Sequence, residues 1–177
     1  MNQIATAQVR IVDDFWGPRL QVNAEKAIYH QWEQLEKTGC IENFRLVADG
    51  VEGIREGYFF ADSDAYKWLD AAAKVYAAAR SYSHVPLEKL KTLMDDFITL
   101  IERTQEPDGY IYTYNQLLFP DVRWINLQIE HELYCHGHLI EAGVSHFEAT
   151  GERRLLEICI KSADLLVREF AQAPPEG

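Results

Sequence analysis

Residues 130–150, reading EHELYCHGHLIEAGVSHFEAT and closed by Gly151, constrain the fold of this chain more than any other stretch. Wound as an α-helix at about 100° per residue, they separate into two sides. His131, Cys135, His138, Ala142, Ser145 and Thr150 or its neighbour Ala149 form a polar or small stripe, while Leu133, Gly137, Ile140, Val144 and Phe147 form an apolar, close-packing one. A helix side that faces bulk water normally carries Lys, Arg and Glu, yet there is no Lys or Arg anywhere in this helix. The polar stripe reads as the wall of a cavity rather than a solvated face.

The rest of the chain supplies more helices. Val9, Ile11 and Val12 read as an extended lead-in pinned by Phe15 and Trp16, and Pro18 then suits the first turn of a helix over 18–38 that Gly39 stops. Gly50, Gly53 and Gly57 break any period between 40 and 58, which predicts a long loop. A second helix follows over about 62–81; its many alanines (71–73 and 77–79) make it thin and suit it to an internal position. Asp62 and Asp64 at its start read as caps for unpaired amides, with substrate contact the alternative. His84 and Pro86 mark a turn into an amphipathic helix over 86–104. Pro107-Asp108-Gly109 is a strong turn signal, and the alternating run after it predicts a small hairpin arm with residues 117–124. The helix of the opening paragraph is expected from Asn126 or Leu127, and a fifth over 152–170 precedes a linker-like tail, 171–177. The expectation is an all-α single domain of about five helices plus a short hairpin arm. Inner-looking helices alternate with outer-looking ones, as in stacked α/α hairpins forming a toroid or solenoid.

Composition excludes several classes of partner. A net charge of −11 with 17 scattered Lys and Arg does not suit a nucleic acid, whose phosphates call for clustered basic residues. No run approaches the roughly 20 apolar residues of a membrane helix, and MNQIATAQVR lacks the form of a secretion signal, so the expected location is cytoplasmic. Three cysteines, Cys40, Cys135 and Cys159, fit reduced thiols rather than a disulfide framework.

The chemistry of the 130–150 helix narrows on inspection. His131, Glu132 and His136 are spaced H-E-x-x-x-H, and positions five apart diverge by about 140° on a helix, unlike the two histidines of a zinc protease. Cys135, His138 and His131 have spacings that a metal could bridge, but no fourth ligand accompanies them. Glu132 and Glu141 are about 13 Å apart by rise alone and do not make a glycosidase carboxylate pair with each other. Two imidazoles and a thiol on one stripe need several polar partners at once, which a polar pocket provides. Tyr134 and the other Trp and Tyr residues suit stacking on sugar rings, core packing being their commoner role.

Taken in order, Asp14-Phe15-Trp16, Asn43-Phe44, the run 62–69 (DSDAYKWL), Gln105 with Asp108-Gly109-Tyr110, and above all the run 131–142 (HELYCHGHLIEA) resemble the N-terminal part of family 127 glycoside hydrolases, the β-L-arabinofuranosidases. The resemblance implies a partial (α/α)6 barrel and release of terminal β-L-arabinofuranose, with retention, from arabinose-containing oligosaccharides or glycoconjugates. It also implies a zinc-bound cysteine nucleophile and a glutamate acid/base downstream of these motifs. No catalytic residue and no metal ligand is therefore carried over to this chain, and zinc is expected only in a full-length enzyme. His131 and His138 are carried over as sugar-binding candidates, with Tyr134, Asp62 and Asp64 beside them. His136 and Asn115 depart from the family pattern and leave the sugar preference open. Self-association is expected of a half-toroid with uncovered faces. The alternative function is a non-catalytic helical module that binds carbohydrate or protein.

Overall fold

The computed structural model describes residue 4 and residues 8–79 and 87–171. The expected turn at His84 and Pro86 and the tail beyond 171 lie outside the described residues. The elements are α1 (Trp16–Val22), a π-helical turn (Asn23–Ala27), α2 (Ile28–Lys37), α3 (Cys40–Asp49), α4 (Ala61–Ala79), α5 (Leu87–Thr104), α6 (Thr113–Leu118), α7 (Glu132–Thr150) and α8 (Arg154–Phe170). Among the described residues every regular element is helical.

Pairwise contacts give the topology. Cys135 reaches the carbonyl of Phe60 and Ser145 donates to Asp70 (2.6 Å), so a step of ten residues along α7 matches a step of ten at α4 and the two helices run parallel. Cys159 meets the Leu139 carbonyl and His136 meets Ser162, so α8 returns antiparallel to α7. Arg154 bonds Glu102 while Gln105 donates to the Ile158 carbonyl, which sets α8 parallel to α5. Parallel inner helices (α4, α7) backed by parallel outer ones (α5, α8) are the arrangement of an α/α toroid, here a partial one.

Small residues allow the close approach. Ala65, Ala72 and Ala73 on α4 and Ala142 on α7 are fully buried. Gly143 packs against α8 so closely that a Cβ there would lie 2.3 Å from Cys159 Sγ. Behind α4, the rings of Trp32, Trp68, Phe97, Phe44 and Tyr66 form a continuous aromatic cluster, and Trp68 Nε1 donates to the Ile28 carbonyl to tie α2 to α4.

Several expectations need correction. The first half of the expected 40–58 loop is α3: Cys40, Ile41 and Phe44 bury one face, and left-handed Gly39 (φ 77°) and Gly50 (φ 62°) bound the helix instead of interrupting it. The hairpin arm is absent among the described residues. Tyr110, Ile111 and Tyr112 are all buried, and the amides that a ladder would use are taken by side chains, Tyr112 N–H by Gln116 and Thr113 N–H by Asp62. Helix α7 starts at Glu132, later than expected, because His131 is left-handed (φ 56°) after a turn in which the Ile129 and Glu130 amides both donate to Asn126 O. Phe15 and Trp16 do not anchor the lead-in in the core: both are more than half exposed and meet each other edge-to-face.

The sides of α7 also differ from expectation. Its buried face is Glu132, Cys135, His136, Leu139, Ala142, Gly143, His146 and Ala149, while Leu133, Val144 and Phe147 of the apolar stripe are 39%, 43% and 36% exposed. Contact with α4 and α8 takes up Ala142, Gly143, Leu139 and the polar His136 and His146, which leaves Leu133, Val144 and Phe147 outward. An exposed apolar stripe on a helix favours association. We predict that sedimentation velocity will show self-association that rises with concentration and weakens in Val144→Lys; a monomer at all accessible concentrations would contradict this.

Candidate functional site

Two buried carboxylates fix the end of the toroid where α4 and α7 begin. Glu132, fully buried, accepts hydrogen bonds from Tyr110 Oη (2.6 Å), Asn115 Nδ2 (3.1 Å) and the Trp124 amide (2.8 Å). Asp62, also fully buried, accepts from the Thr113 amide (2.7 Å) and Thr113 Oγ1 (2.5 Å). Burial pushes both carboxyls above their ordinary values, against hydrogen bonds that pull them down. Together they strap residues 110–124 across the first turns of both inner helices. Asp62 is thus engaged with α6.

Outside this strap lies a partly open cluster. His131 is 5.2 Å from the Phe59 ring, 5.7 Å from Phe60 and 5.3 Å from Tyr134, centroid to centroid. Tyr134 meets the His138 ring edge-on at 4.5 Å and carries the Lys67 ammonium 4.9 Å above it. Lys67 donates to Ser63 Oγ (3.2 Å) and pairs with Asp64 (3.6 Å). The left-handed backbone of His131 takes its ring off the α7 stripe and towards Phe59 and Phe60. Its Nδ1 is 2.6 Å from the Ile129 carbonyl; a carbonyl only accepts, so the proton is on Nδ1 and Nε2 is free to accept in the neutral ring. His138 Nδ1 lies 3.1 Å from Glu141.

Four of the five expected residues therefore form one contact cluster at the mouth where α4 and α7 begin, His131, Tyr134 and His138 ring to ring and Asp64 through Lys67, and the fifth, Asp62, is buried. Two cavities share Asp64, one of about 410 Å³ lined by Gln31, Gln34, Lys67 and Trp68 and one of about 230 Å³ lined by Glu56, Tyr58 and Phe60; His131, Tyr134 and His138 line neither. Lys67 and the pair Phe59 and Phe60 escaped the sequence reading. Lys67 stands three residues after Asp64, a spacing that places two side chains together on a helix, and that was its available signal. Phe59 and Phe60 precede the helix and have no period to mark them. The arrangement offers aromatic faces, an ammonium, a carboxylate and two imidazoles to a neutral polyhydroxy ligand.

His136 belongs to the interior. It is fully buried, with Nδ1 2.5 Å from Ser162 Oγ and its ring against Tyr110 and Trp124. The fold so defined is that of a partial α/α toroid. A family profile described as the β-L-arabinofuranosidase GH127 catalytic domain matches residues 8–176, so the chain belongs to that family. It is similar to a non-reducing end β-L-arabinofuranosidase of Bifidobacterium longum subsp. longum, 33% identical over 192 residues, covering 96% of this chain and 28% of that one. Among solved structures, a GH127 β-L-arabinofuranosidase from Geobacillus stearothermophilus T6 superposes with a TM-score of 0.85 at 40% identity, covering 96% of this chain and 27% of that one. A second GH127 β-arabinofuranosidase gives 0.83 at 34% identity, covering 98% and 28%. The chain spans little more than a quarter of the length of these relatives. Among the described residues no helix is long and apolar enough to cross a membrane.

Burial lowers the His136 imidazole from its usual 6.5 to about 4. Between those values the unfolded chain binds a proton that the folded one does not, so stability falls as pH drops through the window, by roughly 3 kcal/mol at its acid end. The raised carboxyls of Asp62 and Glu132 act oppositely, losing stability as pH rises above the ordinary carboxylate range. We predict that His136→Gln will flatten the fall in melting temperature between pH 7 and pH 5; an unchanged pH profile in the variant would contradict the assignment.

Proposed function

We propose that this chain forms part of the substrate pocket of a retaining β-L-arabinofuranosidase, holding an arabinose-containing oligosaccharide or glycoconjugate at the mouth between α4 and α7. The observation that carries the reading is the convergence of His131, Tyr134, His138, Asp64 and Lys67 at the starts of two parallel helices. Tyr134, 44% exposed, supplies an apolar ring. The histidines and Asp64 supply hydrogen-bonding atoms for hydroxyls.

The chemical step is not assigned to residues of this chain. A cysteine binds zinc or attacks as its thiolate, and the three thiols here are buried and directed at main-chain carbonyls, Cys40 at Ala61, Cys135 at Phe60 and Cys159 at Leu139. Burial pushes all three up, Cys159 to about 12. The cysteine set of the family's zinc site does not fit these positions. A zinc-bound cysteine nucleophile of the family's kind would have to come from residues other than these three. Glu132, already accepting three hydrogen bonds, is equally unsuited to shuttling a proton to substrate.

The chain alone is therefore expected to bind but not to hydrolyse a β-L-arabinofuranoside. Calorimetric titration with L-arabinose should give a dissociation constant on the order of 1 mM, weakened roughly tenfold in His138→Ala, the size of effect that loss of a ligand hydrogen bond produces. Zinc-dependent turnover by the purified chain would overturn the reading. Binding that His138→Ala leaves unchanged would move the site elsewhere, and no sugar binding at all would favour a protein-binding module.

A further inference from the structure

At the far end of α7, about 22 Å by helical rise from His131, a second set of side chains has a ligand pattern of its own. His146 is fully buried, and neither ring nitrogen has a hydrogen-bond partner. A ligand nitrogen of this ring and one carboxylate oxygen each from Asp95 on α5 and Glu152 in the α7–α8 turn lie within 4.8 Å of one another. The two carboxylates are drawn together by the Lys91 ammonium, 2.6 and 2.7 Å from the Asp95 oxygens and 3.0 Å from Glu152. That ammonium offsets one of the two negative charges and leaves the imidazole unpaired.

We propose that Asp95, His146 and Glu152 form a divalent transition-metal site of the zinc class, which clamps α5 to the α7–α8 turn. An imidazole nitrogen with two carboxylates suits zinc, cobalt or nickel; magnesium and calcium favour all-oxygen sets. Bonds of 2.0–2.2 Å place tetrahedral ligands about 3.4 Å apart, so closing the present spacing needs small movements of the side chains. Glu152, half exposed, can make them, while its amide, bonded to Thr150 Oγ1 (3.1 Å), keeps the turn in place. The metal replaces the Lys91 ammonium, whose flexible stem can swing to solvent, and water fills the remaining position. It gives the buried imidazole the partner that the ammonium cannot provide, because an ammonium already committed to two carboxylates leaves the ring unbonded. The site is remote from the sugar mouth, so it acts on the stability of the toroid and not on its chemistry.

The test uses the whole chain, freed of metal with a chelator and titrated with zinc chloride by calorimetry, with thermal melting in parallel. The expected result is one zinc per chain and a raised melting temperature. Glu152→Gln, at an exposed position that leaves the fold intact, should bind roughly tenfold or more weakly, and Lys91→Met should bind more tightly than the unsubstituted chain. Absence of zinc binding in both the unsubstituted chain and Lys91→Met would overturn the proposal. So would binding that Glu152→Gln and Asp95→Asn leave unchanged, since the ion would then be held by other residues.

Discussion

The geometry of the candidate site depends on one buried carboxylate. Glu132 begins α7 and gathers three donors, the hydroxyl of Tyr110, the amide side chain of Asn115 and the backbone of Trp124. A buried acid is costly unless its lone pairs are filled, so the 110–124 segment must lie where those donors meet it. Trp124, left-handed at φ 63°, and His131, left-handed at φ 56°, are the two non-glycine residues among the described ones with such backbones, and they flank this network. Strain of this kind persists only where surrounding contacts over-determine it, and the Glu132 contacts do so. Asp62 performs the same service for α4 through Thr113.

The second constraint is the narrow seam between helices. Alanine on α4 and alanine and glycine on α7 bring the backbones together, with Leu133, Val144 and Phe147 of α7 on the outside. Polar interior residues such as His136 and Ser162 then pair across the seam. The same close packing puts Lys67 of α4 over Tyr134 of α7, so the mouth is assembled by the seam as much as by the strap.

Much of this was legible in the residue pattern. Helices α4, α5 and α8 fall within a few residues of their expected spans because each carries a continuous apolar or alanine-rich face, and the alternation of inner and outer helices is the observed one. The motif run 131–142 pointed to the family and to His131, Tyr134 and His138. What could not be read was decided by tertiary contacts. Helix α3 was hidden by glycines that cap it. The run Tyr110 to Tyr112 reads as half of a hairpin because alternation does not reveal that side chains from elsewhere take the amides there. The sides of α7 differ for a related reason: hydrophobicity marks what prefers burial, whereas Gly143 is set by the close approach of Cys159 and His136 by its pairing with Ser162. Lys67 and the Phe59–Phe60 pair join the mouth only through the parallel register of α4 and α7.

The central claim is that the mouth where α4 and α7 begin is where this chain meets a sugar. The most direct measurement is an amide-resolved NMR titration with methyl β-L-arabinofuranoside. Shift changes concentrated at Asp64, Lys67, His131, Tyr134 and His138 are the predicted result. Changes centred on residues 50–53 after α3 or on the far end of α7, or no changes at any ligand concentration, would contradict it.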